Sequence, residues 1–167
     1  MTAEERRAAI LETLAQSAGP VSASALAGCF GVSRQLIVGD VALLRAGGAA
    51  IDATARGYVV QGRQAGLIRR AACRHQASDM AAELQIMVDN GCTVLDVIVE
   101  HPVYGQLTGT LGLASRYDVK EFIRRSEAAQ PLSLLTEGAH LHTLSCPDEE
   151  SFLRVREELR IAGFLLE

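Results

Sequence analysis

Tryptophan is absent and only 4% of the 167 residues are aromatic, so any core must be built from aliphatic side chains. Apolar residues still make up 49% of the chain and charged ones 22%, the balance of an ordinary globular protein rather than a disordered one. The length suits one large domain or two small ones and allows a real hydrophobic core. No apolar run approaches the roughly 20 residues needed to span a bilayer. The opening residues Met1 to Arg7 read as the start of a helix with no apolar signal region behind them, so a cytoplasmic protein without membrane contact is expected.

The cysteines Cys29, Cys73, Cys92 and Cys146 form no CxxC pair, which argues against a disulfide framework and against an all-cysteine zinc site. Reduced and mostly buried thiols are expected instead. An excess of positive charge is also missing. The net charge is −4, unlike that of a generally basic nucleic-acid binder. Its distribution matters more than its sum. Residues 1–62 hold Arg6, Arg7, Arg34, Arg45 and Arg56 against Glu4, Glu5, Glu12, Asp40 and Asp52, and are neutral; residues 63–167 carry the whole deficit. A neutral first part with locally placed arginines can dock on phosphates, whereas an acidic second part would not.

The first part reads as three helices and a hairpin. Glu4 to about Ser17 sets Ile10, Leu11 and Leu14 on one face, at the spacing of an amphipathic helix. Gly19-Pro20 breaks it, and Ser22 can cap a second helix carrying Leu26 and Phe30. Gly31-Val32-Ser33 makes a tight turn into a third helix, Arg34 to about Arg45, with Ile37, Val41 and Leu44 inward. Two helices joined by a short glycine-containing turn are the helix-turn-helix pattern. The third helix would present Ser33, Arg34, Gln35, Val38, Ala42 and Arg45 to DNA; arginine and glutamine suit bidentate reading of guanine and adenine. Ala49 to Val60 reads as a wing whose tip, Ala55-Arg56-Gly57, sends Arg56 toward phosphate or minor groove. Gly39 is the awkward residue, because glycine inside a helix costs about 1 kcal/mol relative to alanine.

From about residue 62 the pattern changes, and the expected domains are 1–61 and 62–167. Strands are read at Leu67–Arg74, Thr93–Val99, Gln106–Leu113 and Ala139–Cys146. Helices are read at Ser78–Asn90, capped by Ser78 and closed by Gly91, at Asp118–Ala128 and at Asp148–Ala162. The order β-α-β-β-α-β-α describes an open-faced α+β sandwich. All four histidines fall here. His140 and His142 alternate along a strand, so both leave the same face and form a natural chelate. His75 and Glu83 would add a nitrogen and an oxygen, and three histidines with a carboxylate suit zinc or another late divalent metal. A His-x-His pair also occurs on strands with no metal, and spacing alone does not say whether His75 and Glu83 meet it. His101, followed by Pro102, ends a strand in an extended backbone and faces either a pocket or its own loop.

Two long segments, Asp96-Val97-Ile98-Val99-Glu100-His101-Pro102-Val103-Tyr104-Gly105 and Pro131 to Leu144 with its Gly138-Ala139-His140-Leu141-His142, resemble the three-histidine domain of bacterial niacin-responsive transcriptional repressors. Val32-Ser33-Arg34-Gln35-Leu36-Ile37-Val38 and Ala53-Thr54-Ala55-Arg56-Gly57-Tyr58 resemble that family's winged helix, so the likeness covers nearly the whole chain. Gly39 departs from it, standing where a longer polar side chain is expected.

The resemblance implies a homodimeric repressor of genes for NAD synthesis or niacin uptake. Double-stranded operator DNA would be its partner and nicotinate or a related pyridine its co-repressor, with a second domain similar in fold to phosphocarrier proteins. It implies one divalent transition metal per chain (zinc or nickel first, iron or manganese next) on His75, Glu83, His140 and His142, and an effector site near His101 and Tyr104. No catalysis is expected. The alternatives from other classes are a metal-sensing regulator and a metal-dependent enzyme fused to a DNA-binding module.

Overall fold

A computed structural model describes residues 1–61, 66–129, 132 and 136–167. The chain divides into two compact units, Met1–Gln64 and Ala65–Glu167.

In the first unit the order is α1 (Ala3–Gln16), α2 (Ala23–Phe30), α3 (Arg34–Ala46), β1 (Ile51–Thr54) and β2 (Gly57–Val60). Each helix starts where a hydroxyl can take an orphan amide. Thr2 and Glu5 form a capping box on α1, Ser22 accepts from the Ala25 amide, and Ser33 accepts from the Leu36 amide. Gly31 ends α2 in the left-handed region at φ 64°, which turns the chain sharply into α3. Ile10, Leu14, Leu26, Ile37, Val41 and Ile51 close the core between the three helices and the hairpin. Val21 exchanges two backbone hydrogen bonds with Tyr58, so the hairpin gains a third short strand from the chain before α2. Gly57, at φ 136°, lies so close to the Val21–Ser22 backbone that a Cβ there would collide with it. The wing root therefore requires glycine.

The second unit runs β3 (Leu67–Arg74), α4 (Met80–Asp89), β4 (Thr93–His101), β5 (Gly105–Leu113), α5 (Arg116–Ser126), β6 (Ala139–Cys146) and α6 (Glu149–Ala162). The four strands are all antiparallel in the order β3-β6-β4-β5, which puts β6 and β4 at the centre. The sheet is two-faced. Ala71, Cys73, His140, His142, Leu144 and Val99 are buried on one side, while Arg70, Arg74, Glu100, Thr108 and Thr110 are exposed on the other. Helices α4, α5 and α6 pack with one another in a layer on the buried side, giving the open-faced α+β arrangement that the alternation implied. A bulge between Val94 and Asp96 lets β4 keep its core face toward the helices on both sides of the irregularity. Beyond α6, Phe164 and Leu166 trade backbone hydrogen bonds with Arg74 and Ala72, so the last residues extend the sheet along the free edge of β3.

Two starts in this unit differ from expectation by two residues. Ser78 does not cap a helix; Ala77–Asp79 form a 3-10 turn, and α4 begins at Met80 with no side-chain cap on its first amides. Two polar residues, Ser78 and Asp79, compete for that position, and the tighter turn satisfies the chain through the Asp79 amide to the Gln76 carbonyl instead. Helix α5, by contrast, starts earlier than expected, at Arg116, because Ser115 and Asp118 form a capping box. Among the described residues no single helix is long and apolar enough to cross a membrane.

Candidate metal centre and nucleic-acid interface

Helix α4 buries Leu84, Met87 and Val88 against the sheet, and Glu83 stands in the same stripe with 1% of its surface exposed. A carboxylate in an apolar stripe is costly unless charge or hydrogen bonds surround it. Three imidazoles do. His75 Nε2 lies 2.6 Å from Glu83 Oε2, His140 Nε2 lies 2.7 Å from Oε1, and His142 Nε2 lies 3.3 Å from Oε2. The four side chains are between 1% and 4% exposed. The structure thus joins His75 and Glu83, from the end of β3 and from α4, to the alternating pair on β6.

The far side of each ring fixes its tautomer. Nδ1 of His75 donates to the Gln76 carbonyl, Nδ1 of His140 to the Gly138 carbonyl and Nδ1 of His142 to the Asp96 carbonyl, each at 2.7 Å. A carbonyl can only accept, so each Nδ1 carries a proton and each Nε2 is the nitrogen turned toward Glu83. Rings held this way, with the outer nitrogen on a backbone carbonyl, are oriented as metal-ligating histidines are. Burial opposes charge on His75 and on His142, but the hydrogen bonds and charge of Glu83 outweigh it and raise both above the ordinary histidine value. Burial likewise opposes ionisation of Glu83, and the three histidines overcome it, holding the carboxyl well below the usual range. The cluster is a buried anion facing three nitrogens, and it calls for positive charge between them: ring protons or a cation in their place. Three nitrogens and a carboxylate oxygen, nearly closed to water, fit a late divalent metal.

Gly138 positions two of these parts at once. At φ 89° it packs against the His75 carbonyl so tightly that a Cβ would overlap it, and its own carbonyl takes the His140 proton. Phe164 adds an edge-to-face contact on the His75 ring at 5.4 Å. Cys73 was missed by sequence reading, yet it is fully buried beside Glu83 and His140. The repeat Cys73-Arg74-His75 places both side chains on one face, the same signal that singled out His140 and His142.

The other expected effector residues lie apart from the four. His101 Nδ1 accepts from the Val103 and Tyr104 amides at 3.1 and 3.2 Å, closing the β4–β5 turn, and the two rings stack at 5.0 Å with Tyr104 exposed. Strand register sets His101 on the face of Val97 and Val99, and Val97 pairs with His142. Gly109, beside Val97, has no Cβ, and Leu132 fills that space. Of the second segment quoted above, residues 131 and 133–135 lie outside the described residues.

In the first unit Ser33, Arg34, Gln35, Val38, Ala42 and Arg45 are all exposed on the outward side of α3. Among the described residues no carboxylate pairs with Arg34 or Arg45. Behind them, Asp40 is buried and held by Arg6 of α1, with Nε to Oδ2 at 2.6 Å, and more loosely by Arg7 at 3.6 Å. This internal clamp fixes α3 against α1, and sequence reading did not foresee it. At the wing tip the Thr54 hydroxyl accepts from the Arg56 amide and donates to the Gly57 carbonyl, shaping the turn that exposes Arg56.

Residues 68–167 match the model of the 3H domain, which is more than half of the chain. The chain belongs to the 3H-domain family. An HTH domain model matches residues 6–59, the span of the three helices and hairpin. Two relatives of this 3H-domain protein cover nearly all of it. The probable transcription repressor NiaR of Thermotoga maritima is 44% identical over 98% of this chain and 95% of its own length. The transcription repressor NadR of Bacillus subtilis is 42% identical over 96% of this chain and 93% of its own. Both relatives are named as transcription repressors, in keeping with the expectation of no catalysis.

Proposed function

We propose that this 3H-domain protein is a nicotinate-responsive transcription repressor that binds operator DNA as a homodimer. One divalent transition metal per chain would sit on His75, Glu83, His140 and His142. The observation that carries the reading is the orientation of the three imidazoles: each Nδ1 is committed to a backbone carbonyl, and each Nε2 faces one buried carboxylate. Zinc and nickel suit that donor set best. When bound, the metal supplies a fixed positive charge for the carboxylate or ring nitrogen of a pyridine acid.

The protein's own groups do the rest. The main-chain carbonyls aim the rings, α4 holds Glu83 in an apolar wall that keeps water out, and His101 with Tyr104 closes the β4–β5 turn, His101 lying on the sheet face that carries His142. Effector binding orders this unit in each protomer and so favours one spacing of the two α3 helices, about 34–36 Å or a multiple for a two-fold dimer on DNA. An allosteric coupling of about 1–3 kcal/mol changes operator affinity roughly 5- to 150-fold.

The test is a titration of operator DNA by fluorescence anisotropy with apo and metal-loaded protein, each with and without nicotinate. Tightening only when metal and nicotinate are both present is expected. A response to metal alone makes the protein a metal sensor, and no response to either removes the co-repressor reading. On the DNA side, Arg34→Ala is expected to weaken specific binding by about 1–3 kcal/mol, and to relax preference at one base pair if Arg34 reads a guanine. Gly39 meets nothing within 4 Å of where a Cβ would stand. Gly39→Ala should therefore stabilise the chain by up to about 1 kcal/mol, read as a higher denaturant midpoint; a lower midpoint would contradict the open space seen around it.

A further inference from the structure

Cys73 lies in β3 directly across from His140 in β6, on the sheet face that also carries His142. Its sulfur, a Glu83 carboxylate oxygen and a His140 ring nitrogen all lie within 4.8 Å of one another, and Cys73 is 0% exposed. A cysteine that merely fills a core sits among methyl groups. This one has a carboxylate and an imidazole as its polar neighbours, and His75 follows it by two residues on the same side. The other cysteines are elsewhere: Cys146 lies at the opposite end of β6 and pairs with Cys92, and Cys29 belongs to the first unit.

We propose that Cys73 is a sulfur donor to the metal centre, so that the ion is held by a thiolate as well as by imidazoles and a carboxylate. The proposal rests on the metal reading given above and extends it to the choice of metal. Coordination replaces the S–H bond by a metal–sulfur bond, the thiol proton leaving to solvent, with no change of oxidation state. A soft donor in the set biases the site toward zinc, cobalt and nickel and against manganese and magnesium, which prefer oxygen-rich shells.

Cobalt(II) titration of the full-length protein reads this directly. One equivalent should produce visible d–d bands together with a near-ultraviolet thiolate-to-cobalt charge-transfer band. In Cys73→Ser the d–d bands should remain and the charge-transfer band should vanish. Visible bands without charge transfer in the unaltered protein overturn the sulfur donor and leave the metal site standing, whereas no cobalt uptake at all overturns both. Charge transfer that persists in Cys73→Ser assigns the sulfur to another cysteine and overturns the proposal. X-ray absorption of the zinc-loaded unaltered protein needs no variant: a sulfur shell near about 2.3 Å is expected, and a shell of nitrogen and oxygen alone overturns it.

Discussion

A variant carrying both His140→Ala and His142→Ala is expected to purify with close to no bound metal, against about one ion per chain in the unaltered protein. These residues share one strand, and both rings are almost wholly buried against Glu83. Their removal takes away two of the three imidazoles and leaves His75, Glu83 and the proposed sulfur of Cys73, fewer donors than the four of a closed site. The same variant should lose the nicotinate-dependent part of operator affinity while keeping the basal part, since α3 and the wing lie in the other unit. Metal content by elemental analysis, read beside anisotropy with operator DNA, separates the two effects. Full metal occupancy in the double variant would place the ion elsewhere, and unchanged nicotinate response would separate effector from metal.

Gly138→Ala is expected to have the second-largest effect, although it alters no proposed ligand. Its left-handed backbone alone costs a Cβ-bearing residue about 1–2 kcal/mol. The Cβ would also push on the His75 carbonyl, so that either the His75 segment or the start of β6 must move. Either shift turns a ring, because the Gly138 carbonyl orients His140. Loss of such an outer partner typically lowers metal affinity about 10- to 100-fold. Competition with a chromophoric chelator measures the affinity, and thermal unfolding measures the strain. A variant of unchanged stability but weakened affinity would assign the effect to ring aim alone; unchanged affinity would contradict the role given to this glycine.

How much of this was legible from residues alone varies with the kind of interaction. Strands β3 and β6 run from Leu67 to Arg74 and from Ala139 to Cys146 as expected; β3 alternates between exposed and more buried positions, and β6, at the centre of the sheet, mostly between buried and half-buried ones. His140 and His142 carried a chemical signature, but their meeting with His75 and Glu83 came from resemblance, since sheet order β3-β6-β4-β5 is not encoded in local spacing. The Arg6–Asp40 clamp was illegible for the same reason: it joins residues 34 positions apart across two helices. The start of α4 was misread because Ser78 offered a cap that the chain does not use. The carbonyls of Gln76 and Asp96, which aim two of the rings, are not marked by the identity of their residues, and that of Gly138 is marked only by the glycine its backbone requires.

That last feature gives the site an unusual tolerance to drift. Every residue offers a main-chain oxygen, so the side chain at 76 is free to vary without releasing His75 from its tether, whereas Asp96 also holds the Thr143 amide through Oδ1. What the centre does not tolerate is a change in the course of the chain: an inserted residue, a lost bulge, a displaced strand end. The three tethers come from the exit of β3, the interior of β4 and the approach to β6. The cluster thus works as a gauge of the alignment among three strands, sensitive to the path of the backbone and to those side chains that, as at position 138, would deflect it.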